Sequence, residues 1–154
     1  MLTNDEIEER TKQAVDYFEE GHNCAQSVLL AYSDLYGLDK EMAVKMATSF
    51  GGGMGRLREV CGAVSGMFMV MGLEYPFLDT KNKASKNENY KKVQETATEF
   101  KAAMGSIICA DLLKLKRQAQ HYESADRTKE YYATRPCAQC VAKAAEITGK
   151  NISK

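Results

Sequence analysis

Apolar residues recur along this chain at spacings of three and four, between residues suited to capping helices. Nowhere do they alternate over a useful strand length. A chain patterned this way can bury its apolar side chains only by packing helices against one another.

The caps divide the chain. Thr3 and Glu6 have capping-box spacing, with Leu2 and Ile7 placed as a hydrophobic staple. Ile7, Ala14, Val15 and Phe18 continue the stripe, and Gly21 is a natural stop. Asn23 and Gln26 repeat the box and put Cys24 at the first helical position. That stripe runs through Val28, Ala31, Tyr32 and Leu35 to Gly37. Asp39 caps a third helix whose expected buried face is Ala43, Met46, Ala47 and Phe50. No helix interior would carry Gly51-Gly52-Gly53-Met54-Gly55. A fourth helix is expected from about Leu57 to Met71, stopped by Gly72. It is apolar almost all round, which predicts a central, buried helix.

Leu73 to Asn89 reads as a long loop. Tyr90, Val93, Ala97, Phe100 and Met104 mark an amphipathic helix, Gly105-Ser106 permits a break, and Ile108, Cys109, Leu112 and Leu113 carry the period on. A charged segment extends to about Thr134. Thr134 or Arg135 opens a last helix through Cys137, Val141, Ala144 and Ala145, closed by Gly149. The expected fold is all-α, a compact bundle of about six or seven helices joined largely by short turns.

Size and charge narrow the function classes. A chain of 154 residues, 44% apolar and 27% charged, fits one helical domain over residues 1–154. Basic and acidic residues balance at 21 each, so the basic excess of a nucleic-acid binder is missing. No stretch approaches the ~18 apolar residues of a membrane span. The opening Met1-Leu2-Thr3-Asn4-Asp5-Glu6 lacks a signal pattern, which points to the cytoplasm. In a reducing compartment, five cysteines are more at home as thiols, ligands or catalytic groups than as staples.

The cysteines are spread over separate helices. Cys24 starts one, Cys61 opens Cys61-Gly62-Ala63-Val64-Ser65-Gly66 in the expected central helix, Cys109 lies on an apolar stripe, and Cys137 and Cys140 form a CxxC. Free cysteine also packs well as a small hydrophobe, so burial alone would explain any one of them. A thiol in a first helical turn feels the positive end of the dipole, which predicts an acidic Cys24 or Cys137. Arg58, one turn before Cys61, would favour a thiolate there unless it is simply a solvated charge. A CxxC suits disulfide exchange or ligation of a soft metal. Here it lacks both the βαβ setting of a thioredoxin fold and a second CxxC for zinc.

Seven of the eleven glycines fall between Gly51 and Gly72. The run before the central helix could form an anion nest with Arg56 and Arg58, or a corner allowing close chain approach. It matches neither a P-loop nor a dinucleotide fingerprint. Gly62 and Gly66 bare one helix face beside Cys61, which would admit a cofactor or a packed helix. Met67, Met69 and Met71 scatter around their helix as core filling, and a lone His22 in a loop is ordinarily solvated.

Together, Gly21-His22-Asn23-Cys24-Ala25-Gln26, the glycine run into Cys61-Gly62-Ala63-Val64-Ser65-Gly66, Cys109 with Leu112-Leu113, and Cys137 with Val141 and Ala144-Ala145 resemble the C_GCAxxG_C_C family of redox-active proteins. The resemblance implies four key cysteines, Cys24, Cys61, Cys109 and Cys137. Cys140 departs from the pattern and reads as additional.

The leading expectation is thiol–disulfide exchange or electron transfer with a partner protein or small molecule. In it a low-pKa Cys24 or Cys137 would exchange with a thiol across the core. The alternative is an iron–sulfur cluster or zinc held by Cys24, Cys61, Cys109 and Cys137 as thiolates. In either case Gly62, Gly66 and Arg58 would border a cofactor. A third reading is a helical interaction module with structural cysteines. Homo-oligomerisation is compatible with all three. The four principal cysteines are expected to form one cluster in the core.

Overall fold

The caps read from the sequence open helices that converge on one apolar core. The computed structural model describes all 154 residues. Helix α1 spans Asn4–Glu19 and closes the Thr3–Glu6 capping box; α2 spans Cys24–Tyr32 and closes the Asn23–Gln26 box. A 3₁₀ turn, Ser33–Tyr36, continues α2 to a left-handed Gly37. Helix α3 is Lys40–Ala47, capped by Asp39. Then follow α4 (Gly62–Glu74), α5 (Lys83–Met104), α6 (Cys109–Leu112), α7 (Lys129–Thr134) and α8 (Cys137–Asn151). The only β feature is an isolated antiparallel bridge between Val60 and Ile108. No helix is long and apolar enough to cross a membrane.

Several sequence expectations change. Helix α4 starts at Gly62, not near Leu57, because the preceding residues find a tertiary partner. The Cys61 amide donates to Ile107 O at 2.8 Å, and the Cys109 amide donates to Glu59 O at 2.7 Å. Cys61 is therefore the residue before α4 and not part of it. Gly72 does not stop α4, which runs on to Glu74. The loop after α4 is short, because Asn82 caps α5 by accepting from the Ser85 amide.

The buried face of α5 centres on Asn89, Thr96 and Phe100, while Tyr90 is 52% exposed. Those two polar residues tolerate burial because each is bonded: Asn89 Nδ2 donates to Met71 O, and Thr96 Oγ1 to Lys92 O. On α3, Ala43 and Ala47 face inward and Met46 stays 45% exposed. The period through Ile108 and Cys109 lasts a single turn. Helix α8 opens after Pro136 and passes through Gly149 to Asn151.

The core is one cluster drawn chiefly from α1, α2, α4 and α8. Helix α4 packs on α2, α5 and α8. Ala63, Val64, Met67, Val70 and Met71 on it are fully buried. Large side chains such as Val28, Leu29 and Phe100 contribute about 1.5–3 kcal/mol each when fully buried. One buried polar tie crosses the core, where Tyr32 Oη donates to Ala145 O at 2.7 Å and joins α2 to α8. This packing brings the beginnings of α2, α4 and α8 to one place.

Candidate functional site: five thiols on one cavity

Cysteines occupy those beginnings. Cys24 is the first residue of α2, Cys61 the cap position of α4, Cys109 the first residue of α6, and Cys137 the first residue of α8. Cys140 lies one turn along α8, on the same side as Cys137. All five are free thiols, and all five line one cavity of about 300 Å³.

The sulfurs are arranged in pairs. Cys24 acts chiefly on Cys137, and Cys140 chiefly on Cys61. The two cysteines of the CxxC thus face thiols on two other segments. Cys140, additional to the four-cysteine pattern, lies beside Cys61 and is buried with it.

The environments of the pairs set their protons. The Cys137 thiol is lowered to about 7, chiefly by the hydrogen bond from Cys24. Burial opposes this, while Arg135, the Tyr131 hydroxyl and Arg127 assist it. Cys24 is pushed well up, first by serving as donor to Cys137 and then by burial. Of the two first-turn thiols expected to be acidic, the pair favours Cys137. The dipole of a two-turn helix is a smaller effect than burial beside a partner that takes the negative charge.

The second pair has the same polarity. Cys61 is lowered, first by the hydrogen bond from Cys140 and then, against burial, by the amides of Val64 and Ala63. Those amides approach the sulfur without closing a cap hydrogen bond. Cys140 is raised by its donor role and by burial. Cys109 stands apart, raised by burial and only partly relieved by Arg58.

Arg58 is neither solvated nor directed at Cys61. It is 2% exposed, and its Nη1 donates to Cys109 Sγ at 3.4 Å. Its Nε and Nη2 donate to Gln120 Oε1 at 3.0 and 2.8 Å. The backbone carrying it is strained: Met54, Arg56 and Arg58 hold φ of 69°, 67° and 60°. Such left-handed non-glycine residues cost roughly 1–2 kcal/mol each.

The glycines beside them are required for close approach. A Cβ on Gly53, whose φ is +68°, would lie 2.6 Å from Cys109 Cβ and 2.9 Å from Arg58 Cα. A Cβ on Gly51 would meet the Asn23 side chain at 2.6 Å. The glycine run is thus a corner packed against the starts of α2 and α6.

Gly62 borders the cavity, and a Cβ there would lie 3.1 Å from Cys24 Cβ. Gly66 sits a turn deeper, where a Cβ would come 2.7 Å from Ala25 O, so its bare face is filled by α2. His22 uses its carbonyl, which accepts from Arg127 Nη2, and sets its ring against Tyr17. Gln120, Arg127, Tyr131 and Arg135 line or support the site, although no motif in the sequence marks them. Arg135 offers the nearest signal, two residues before the CxxC. Gln120 and Arg127 lie in a charged segment with no period to distinguish them.

A family model described as "Putative redox-active protein (C_GCAxxG_C_C)" matches residues 22–151. The chain belongs to the C_GCAxxG_C_C family. No curated protein and no solved structure matches it. In this C_GCAxxG_C_C protein the matched stretch begins just before the Asn23 cap and ends with α8, so it contains all five cysteines. Helix α1 lies before the match, yet Phe18 from it lines the cavity.

Proposed function

We propose that this member of the family is a cytoplasmic dithiol protein that exchanges electrons with a disulfide substrate through Cys137 and Cys24, with Cys61 and Cys140 as a second dithiol. The observation that carries this is the division of the CxxC between two thiols on other segments. In each pair one sulfur is made acidic and the other keeps its proton, which is the polarity of an attacking and a resolving thiol.

Atoms and electrons balance in two exchanges. The Cys137 thiolate attacks one sulfur of R–S–S–R′, forms a mixed disulfide and expels R′S⁻, which takes up a proton. Cys24 then gives up its proton, attacks Cys137 Sγ and expels RS⁻, leaving a Cys24–Cys137 disulfide. Two electrons pass from the dithiol to the two product thiols; Cys24 supplies one of their protons and solvent the other. Exchange of that disulfide with Cys61 and Cys140 would restore the first dithiol and oxidise the second. Arg135, Arg127 and Tyr131 hold the negative charge on Cys137 before attack.

Thiolate ligation of a metal draws on the same sulfurs, although no three His, Cys, Asp or Glu side chains stand together as a ready cation site.

Oxidation of the reduced chain with 2-hydroxyethyl disulfide, followed by peptide mapping, tests the proposal. The expected products are Cys24–Cys137 first and Cys61–Cys140 second. A Cys137–Cys140 bond alone, or five thiols that persist throughout, would overturn it. Stoichiometric zinc or iron after anaerobic purification, lost on Cys61→Ser, would favour ligation instead.

A further inference from the structure

The chain as a whole is electrically balanced, with 21 basic and 21 acidic residues. The wall of the thiol cavity is not. Arg56, Arg58, Arg127 and Arg135 line it, and no aspartate or glutamate does. The other two arginines each sit on a carboxylate, Arg10 on Asp34 and Arg117 on Glu59.

The four in the cavity have neutral partners or weak ones. Arg58 bonds Gln120 and the Cys109 thiol. Arg56 Nε donates to His121 O at 2.7 Å, and its Nη2 reaches Gln120 Oε1. Arg127 donates to the carbonyls of Phe18 and His22. Arg135 lies over the Tyr131 ring, 4.6 Å from its centroid.

A buried guanidinium without an anion is costly, and Arg58 is the largest fully buried side chain in the protein. Arg58 and Arg135 also repel Arg56. Helices α2, α4 and α8, each at least nine residues long, add the positive ends of their dipoles. A thiolate on Cys137 offsets only part of this charge. The cavity, at about 300 Å³, lies at the small end of the roughly 300–1,000 Å³ range of small-molecule sites.

We infer that the cavity selects a low-molecular-weight disulfide that bears a carboxylate, with the carboxylate among Arg56, Arg58 and Arg135 and the disulfide sulfur at Cys137. This rests on the dithiol reading and names its substrate class. The bonds made and broken are those of the exchange above, with the carboxylate leaving on the product thiol.

The test uses the reduced full-length chain and three symmetrical disulfides: anionic 3,3′-dithiodipropionate, neutral 2-hydroxyethyl disulfide and cationic cystamine. Each second-order rate is divided by the rate of the same disulfide with 2-mercaptoethanol, which removes intrinsic reactivity. The anionic disulfide should exceed the cationic one by about tenfold or more at low salt, with the gap closing as salt rises. Arg135→Gln and Arg56→Gln should each lower the anionic-to-neutral ratio.

Equal normalised rates, or a preference for cystamine, would show that the arginines serve only the thiolates and would overturn the inference. Failure of all three disulfides, the neutral one included, would instead sink the dithiol reading. A measurement on the unmodified chain guards against variants that fail to fold. The inert thioether 3,3′-thiodipropionate should slow alkylation of Cys137 by iodoacetamide. Absence of that protection overturns the anion site whatever the redox chemistry.

Discussion

Within the Cys24–Cys137 pair one proton is shared unequally, and the surroundings of each sulfur decide which keeps it. Cys137 has Arg135, Arg127 and the Tyr131 hydroxyl beside it, whereas Cys24 has mainly burial and other thiols. Alkylation should therefore occur first at Cys137, with a midpoint near the value of about 7, and only later at Cys24. Cys24→Ala removes the donor and should raise that midpoint. An unchanged midpoint would place the cause in the arginines alone. The same shifts make stability depend on pH. Cys137 is lowered from an ordinary 9.0, so between about 7 and 9 the unfolded chain binds more protons, and stability from this group grows as pH rises through that window. Cys24 is raised, so its contribution is present below about 9 and is lost above it, as pH climbs through its folded value. Urea midpoints of the reduced protein should rise from about pH 6 to about pH 9 and then fall.

Cysteine at the beginning of a helix points its sulfur at the next element only if the helices come close enough. The α2–α4 contact is where that closeness is set. A Cβ on Gly66 would stand 2.7 Å from Ala25 O, a backbone atom that cannot swing aside. Gly66→Ala should therefore destabilise by about 1–3 kcal/mol and move Cys24 relative to Cys61. Gly72 is the counterpart on the same helix, exposed and with nothing within 4 Å of where a Cβ would stand. Gly72→Ala should stabilise by roughly 0.5–1 kcal/mol, because alanine loses less backbone freedom on folding. Chemical denaturation of the two variants separates the effects, and equal shifts would show that α2 and α4 are not held at contact distance. The strained segment with Arg56 and Arg58 is a second such device: its left-handed backbone puts Arg58 under α6, against Cys109.

The two thiol pairs also bind distant parts of the chain. Cys24 and Cys137 lie toward opposite ends of the family-matched stretch, on α2 and α8, and Tyr32 joins the same helices farther along. A Cys24–Cys137 disulfide would close a loop of more than 100 residues, and loops of about 100 residues gain up to about 4.7 kcal/mol from restricting the unfolded chain. For a chain of this size that is a melting shift of roughly 10 °C. Thermal melts of the reduced and oxidised protein should differ in that direction. Lower melting on oxidation would mean that the pair closes only by distorting the core.

Helix starts were legible because a cap is local chemistry, a side chain and a backbone amide three residues apart, as at Thr3, Asn23 and Asp39. The all-α class followed from apolar spacing, and the places of Cys24 and Cys137 from the helix starts read there, whereas those of Cys61 and Cys109 did not. Helix ends were less legible. Gly72 and Gly149 continue their helices because each keeps a helical backbone, and Gly149 does so pressed against Tyr32 and Ile7. The exposure of Met46 and Tyr90, the burial of Arg58, the bridge that delays α4 to Gly62, and the pairing of Cys140 with Cys61 all rest on contacts between residues far apart in the chain. Periodicity records which face of a helix is apolar; only packing decides which neighbour covers that face, and here that choice determined which sulfur meets which.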